Sequence, residues 1–264
     1  MITLAKRIDL SDELIRELEV MEAESVDMLA QRCLTEGFHV LKKENYLMRL
    51  AVILNLAVRV KEKYDRLGID EKIYYDTMSD IKIWCEKTGN RGIKNYNWLK
   101  NHVSGELFRL GRLQFQLYEC KNRTLLYKKL PFGYGERLIY IHIPEGEKLE
   151  KAKCVRSLET AHEFFSRYFP DYAYRYYFCE SWLLCESNRD FMAENSNIVF
   201  FMSLFDICYS LKIDEQAIER IFGKRRLFKR NYPEKTDLQR RAKAYMLKGN
   251  RLGIGVAVIK KDTN

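Results

Sequence analysis

The sequence predicts an α+β protein: a helical N-terminal domain over residues 1–102, then a mixed β-sheet flanked by helices over residues 103–264. Two observations predict it. Apolar residues recur at helical spacing through the first hundred positions, then switch to every second position near Ser104. Beyond that point the order is antiparallel strands, then strand, long loop, helix, strand, which suits hairpins followed by one parallel crossover. At 264 residues, with 47% hydrophobic and 31% charged residues, the chain can bury a sizeable core without disulfides or metal.

In the first half, Ser11 is a candidate N-cap ahead of Asp12 and Glu13, with Leu10 and Ile15 spaced as a hydrophobic staple. Leu14, Leu18, Met21, Met28 and Leu29 continue one helical stripe, which Gly37 ends. A second helix runs from about Lys43 to Leu67 and stops at Gly68. A third starts near Asp70, carries Ile73, Thr77, Ile81, Trp84 and Cys85 on one side, and stops at Gly89. Asn95–His102 supplies a last helical turn or two.

In the second half, Leu113, Phe115 and Leu117 alternate with Arg112, Gln114, Gln116 and Tyr118, as a half-buried strand does. Arg109 and Arg112 flank Gly111 on that strand, where a glycine marks a bulge or close backbone approach. Carboxylate or phosphate recognition and a solvent-facing edge both suit these arginines. Lys121–Thr124 reads as a turn, Thr124–Leu130 as a partner strand and Arg137–Ile143 as a third strand. A 13-residue loop, Pro144–Arg156, leads to a helix capped by Ser157 and ended by Pro170. Tyr174–Leu184 is a strand parallel to Arg137–Ile143. Asn188–Glu194 suits a short helix, and Ile198–Tyr209 is strand or buried helix by periodicity alone. Asp214–Phe222 and Thr236–Lys248 are helical, the latter opened by a Thr236–Gln239 capping box, and Gly253–Lys260 is the last strand.

Several function classes fall away. The most apolar stretch, Leu47–Val60, contains Arg49, Asn55 and Arg59, so no membrane span is expected, and the N-terminus lacks a signal-peptide pattern. Seven scattered cysteines without a CxxC pair point to free thiols in a reducing compartment, the cytoplasm, and four histidines without metal-ligand spacing give no metal site. The net charge of +9 is local. Arg220–Arg251 holds 12 Lys and Arg against Glu234 and Asp237, while the rest of the chain carries −1. This fits a solvated basic face or an anionic partner: nucleic acid, a membrane surface or a phosphorylated cofactor.

Particular words of the sequence carry a family likeness. "NYNWLKNHVSGELFRLGRLQFQ" (95–116), "IHIPEGEKL" (141–149), "SLETAHEFF" (157–165), "CESWLL" (179–184), "ENSNI" (194–198), "TDLQRR" (236–241) and "LGIGVAV" (252–258) together resemble the bacterial GNAT-like acyltransferases. These join a helical N-terminal domain to a GNAT-like C-terminal domain. The likeness covers most of the chain and is strongest from about residue 76 onward. It implies transfer of an acyl group from acyl-coenzyme A to an amine acceptor, by direct attack in a ternary complex. GNAT enzymes usually hold the pyrophosphate on an R/Q-x-x-G-x-G/A turn before a helix. Here Pro144–Ser157 contains only Gly146, and the nearest string, Asn250-x-x-Gly253-x-Gly255, precedes a strand.

From the resemblance follow the candidate site residues. His142 and Glu180 fall at the C-terminal ends of the two parallel strands, where a GNAT-like core splays and holds the thioester; either can take a proton from an attacking amine. The alternative is a satisfied core histidine and an edge carboxylate. Glu145, Gly146 and Arg156 of the loop, with the helix start at Ser157, are the candidate coenzyme A phosphate site, since a helix N-terminus offers free amides to an anion. Cys179 and Ser181 are nucleophile types without a nameable base. Two further readings stay open: a nucleic-acid-binding module using Lys224–Arg230 with Phe228 and Tyr232, and a catalytically silent GNAT-like binding protein. Coenzyme A's own phosphates also fit the basic segment.

Overall fold

Eleven α-helices and six strands form in a computed structural model that describes residues 1–121 and 129–261. The predicted strand Thr124–Leu130 falls mainly outside those residues. The helices before the sheet are α1 (Ile2–Arg7), α2 (Asp12–Glu19), α3 (Ala23–Thr35), α4 (Tyr46–Leu67), α5 (Glu71–Met78), α6 (Asp80–Glu86) and α7 (Tyr96–Val103). Ser11, Asn45, Asp70 and Asn95 cap four of them by accepting amide hydrogen bonds, and Gly68 closes α4 in the left-handed conformation.

The single helix expected over Ser11–Gly37 is two, α2 and α3. In an unbroken helix Glu22 would lie four residues from both Leu18 and Val26, on the buried stripe. The break leaves it exposed. Met28, expected in that stripe, is exposed for the same reason of phase. The third helix is likewise two, α5 and α6, joined at Ser79. Leu50–Leu54 of α4 are wholly buried, so the most apolar run of the sequence is a central helix sheathed by its neighbours. No helix is long and apolar enough to cross a membrane, among the described residues.

The sheet order is β1 (Leu107–Leu110), β2 (Leu113–Glu119), β3 (Arg137–His142), β4 (Tyr176–Ser181), β6 (Ile254–Lys260) and β5 (Asp206–Leu211). What reads as one strand around Gly111 is a hairpin: Leu110 pairs with Leu113, and Gly111 takes the positive φ of 75° that a two-residue turn requires at its first position. β3 and β4 are parallel, as expected. Between them α8 (Lys151–Tyr168) begins six residues before Ser157, because Lys151, Ala152 and Lys153 extend the helix and Cys154 N–H already bonds Glu150 O. The stretch expected as strand or helix is both: α9 (Asn197–Ser203), then β5. Asn188–Glu194 gives way to a 3₁₀ turn over Glu186–Asp190. α10 (Glu215–Phe222) and α11 (Asp237–Leu247) follow, with the Thr236–Gln239 capping box formed.

By packing, the chain divides into two units that are not contiguous in sequence. One comprises Met1–Gln116, Ile143–Glu147 and Glu159–Pro170. The other comprises Leu117–His142, Lys148–Leu158 and Asp171–Asn264.

Candidate active site

The two candidate bases, His142 and Glu180, lie on strands of the second unit. β3 and β4 pair through Ile139 with Tyr177 and Tyr140 with Phe178. Both strands run on past that pair, to His142 and Ser181. Continuing the register by two residues sets His142 level with Glu180. Both share the face of Tyr140 and Phe178, because side chains alternate with period two. Both are half-buried.

Aromatic rings build the floor of this face. Tyr140 stacks on the His142 imidazole at 4.2 Å and 24°. Tyr140 also meets Phe178 at 4.9 Å and Tyr118 at 5.4 Å, and Leu138, Val256 and Val258 fill in behind. Burial raises the Glu180 carboxyl above the ordinary carboxylate value. Burial also raises the Tyr118 phenol, with smaller contributions that include the Glu180 charge, so Tyr118 lies within electrostatic reach of that carboxylate. Tyr118 and Tyr140 were not singled out in the sequence. The signal for Tyr140 was its place two residues before His142, which fixes a shared face. Tyr118 became visible only once β2 was set against the rest of the sheet.

The loop after β3 belongs to the first unit and is held there. Arg112, 4% exposed, donates to Pro144 O at 2.9 Å and Glu147 O at 2.7 Å. Arg109 pairs with Glu147 at 3.4 Å. These arginines are therefore loop clamps rather than ligand-binding or solvent-facing groups. Glu145 accepts from Lys87 Nζ at 2.7 Å, and its negative charge opposes a phosphate. Gly146 has φ 98°, a left-handed conformation suited to glycine.

Ser157 is not an N-cap. It is a buried residue within α8, where its amide lies inside the hydrogen-bonded ladder, so it offers nothing to an anion as a cap would. The amide-rich first turn is Lys151–Lys153. That turn contains no acidic residue, and Arg156 is exposed one turn later. Lys151 covers the Phe200 ring at 4.8 Å.

Neither candidate nucleophile is poised. Cys179 is buried and its thiol is pushed far up by desolvation. Ser181 is buried, and its hydroxyl accepts from Leu183 N–H. Gly253 and Gly255 serve packing. A side chain at Gly253 would run into Leu211 O, and one at Gly255 into Leu184 O.

Several solved structures share this fold. An acyltransferase in complex with decanoyl-CoA and teicoplanin aligns with TM-score 0.80 and 21% identity, over 98% of this chain and 86% of that one. An acyltransferase in complex with CoA and 10C-teicoplanin gives the same figures. An acyltransferase in complex with decanoyl-CoA aligns with TM-score 0.79 and 21% identity, over 98% of this chain and 87% of that one. No curated protein sequence matches the chain. The family model of the N-acyltransferase N-terminal domain matches residues 1–105, and that of the GNAT-like C-terminal domain matches residues 107–259. With both domains matched end to end, the chain belongs to the GNAT-like N-acyltransferase family.

Proposed function

We propose that this protein transfers an acyl group from acyl-coenzyme A to an amine acceptor by direct attack in a ternary complex, in a reducing, bacterial cytoplasm. The carrying observation is the sheet itself: β3 and β4 are parallel neighbours, and their register, continued two residues past Tyr140 and Phe178, sets half-buried His142 level with half-buried Glu180. Ligands of open α/β sheets gather at that edge.

The acyl donor supplies an activated thioester carbonyl. The amine nitrogen bonds to it, the carbon–sulfur bond breaks, and the thiolate of coenzyme A leaves. The proton lost by nitrogen passes to Glu180 or His142, directly or through one water. A carboxylate with a raised pKa is a stronger base than an ordinary one, which suits it to this transfer near neutral pH. Stacking on Tyr140 fixes the plane of the His142 ring. The donor's phosphates are assigned to the first turn of α8, Lys151–Lys153, with Arg156, in place of a glycine-rich turn. Gly146 remains a candidate for backbone contact in the preceding loop. Glu145 would contribute at most its backbone, and buried Ser157 has no direct role. Cys33, Cys85, Cys179, Cys185 and Cys208 are free thiols, in keeping with a reducing compartment.

A thermal-shift panel of free coenzyme A and acyl-CoAs of graded chain length tests the donor. A ligand at a hundred times its Kd adds about 2.7 kcal/mol of apparent stability, a shift easily seen. Stabilisation by acyl-CoA is the expected result, and no stabilisation by any member overturns the proposal.

A further inference from the structure

We propose that the loop joining α10 to α11 docks this protein on the surface of an anionic lipid bilayer. The loop concentrates cations and exposed apolar side chains in one short stretch. Lys224, Arg225, Arg226, Lys229 and Arg230 fall within seven residues, and no acidic residue occurs between Arg220 and Tyr232. Between those cations stand Leu227, 89% exposed, and Phe228, 52% exposed.

The exposure does not come from a loose chain. Phe222 and Tyr232 pack ring on ring at 4.4 Å across the base of the loop. Arg226 N–H donates to the Tyr232 hydroxyl at 3.2 Å, and Lys229–Asn231 form a 3₁₀ turn. Lys229 Nζ donates to Met246 O at 2.8 Å, tying the loop to the end of α11, where exposed Leu247 precedes Lys248. The fold thus holds Leu227 and Phe228 out in water, at a cost in apolar hydration that burial in a partner would recover.

Two of the loop's cations are similarly uncommitted. Arg225 is neutralised by Asp214 and Glu215, and Arg230 lies over the Phe228 ring at 5.2 Å. Lys224 and Arg226 have no acidic partner among the described residues. The loop lies within Arg220–Arg251, the stretch that carries the whole excess charge of a chain that is otherwise balanced. Cations flanking a protruding Leu–Phe pair fit a bilayer: anionic headgroups attract the basic residues, and the interface takes the apolar pair. Nucleic acid suits the cations, but it stacks on aromatic rings and offers nothing to the more exposed of the pair, a leucine.

The test uses the full-length protein in sedimentation with phosphatidylcholine vesicles, with and without phosphatidylglycerol. Binding should require phosphatidylglycerol and weaken with salt. Replacing Lys224 and Arg226 by Gln should weaken it by about five-fold per cation. Replacing Leu227 and Phe228 by Ser should weaken it by about ten-fold or more, with an unchanged thermal melt because neither side chain is in the core. Equal binding to neutral vesicles, no binding, or a Ser variant as tight as the parent overturns the proposal. So does a single-stranded oligonucleotide that displaces the protein from vesicles through the same residues. A Gln variant whose defect is in coenzyme A affinity instead overturns it as well, by placing the loop in the donor site.

Discussion

His102 Nε2 lies 3.0 Å from Asp80 Oδ2 inside the helical unit, and the indoles of Trp84 and Trp98 donate to that same oxygen at 3.2 and 2.9 Å. Both members of the pair are buried. Burial alone would raise the Asp80 carboxyl. The hydrogen bonds from His102, Trp98 and Trp84 outweigh it and hold the group at about 2, below its ordinary 3.8. Because the folded value is the lower one, this carboxylate contributes stability above about pH 4 that is lost as pH falls toward 2. Asp80→Asn should destabilise by about 3 kcal/mol or more, since removing one partner of a buried pair strands the other. Urea melts at pH 7 and at pH 3 check both points: the gap between parent and variant should narrow at the lower pH.

His142→Ala and Glu180→Gln should each reduce turnover by about a hundred- to ten-thousand-fold, the usual range for a lost general base, with acyl-CoA affinity nearly unchanged. The parent's kcat/KM should rise with pH through a value above the ordinary carboxylate range, as the raised Glu180 loses its proton. That limb should vanish in Glu180→Gln. Full activity in both variants would leave the two residues with structural roles only.

Arg112→Ala strips two hydrogen bonds from the loop after β3 and leaves the Pro144 and Glu147 carbonyls without that donor. Each such loss costs about 1–3 kcal/mol where the group stays dry. Lower stability in denaturant melts is expected. Arg112→Lys should recover only part of it, because an ammonium cannot reproduce the planar fork that reaches both carbonyls.

Gly255→Ala should prevent normal folding or cost more than about 4 kcal/mol. Gly255 pairs with Ser181 on one side and Ser210 on the other, and the new methyl would meet the Leu184 carbonyl, which is backbone and cannot swing away. Soluble yield and thermal melting of the variant give the answer.

Element types were legible wherever a local signal was decisive. Gly68 closes α4, Asp70 opens α5, and Thr236 with Gln239 opens α11, because a cap is a contact among residues four or fewer apart. Boundaries failed where the local preference was even. Lys151–Lys153 suit loop and helix alike, so the start of α8 was misplaced by six residues. Gly111 suits a bulge and a turn alike, and only the Leu110–Leu113 pairing makes it a turn.

By itself the sequence determined the helical first half, the mixed sheet of the second, the parallel sense of β3 and β4 and the family. Each follows from periodicity, chain order and short motifs, all of which are properties of neighbours along the chain. Only the tertiary structure decided what the polar residues do. Arg112 became a loop clamp, Ser157 a buried helix residue, Gly253 and Gly255 packing glycines, and Tyr118 a companion of Glu180. An arginine, a serine or a glycine takes its role from the group it faces and from how far water is excluded. Those partners are set by packing between segments distant in sequence, which no local pattern encodes.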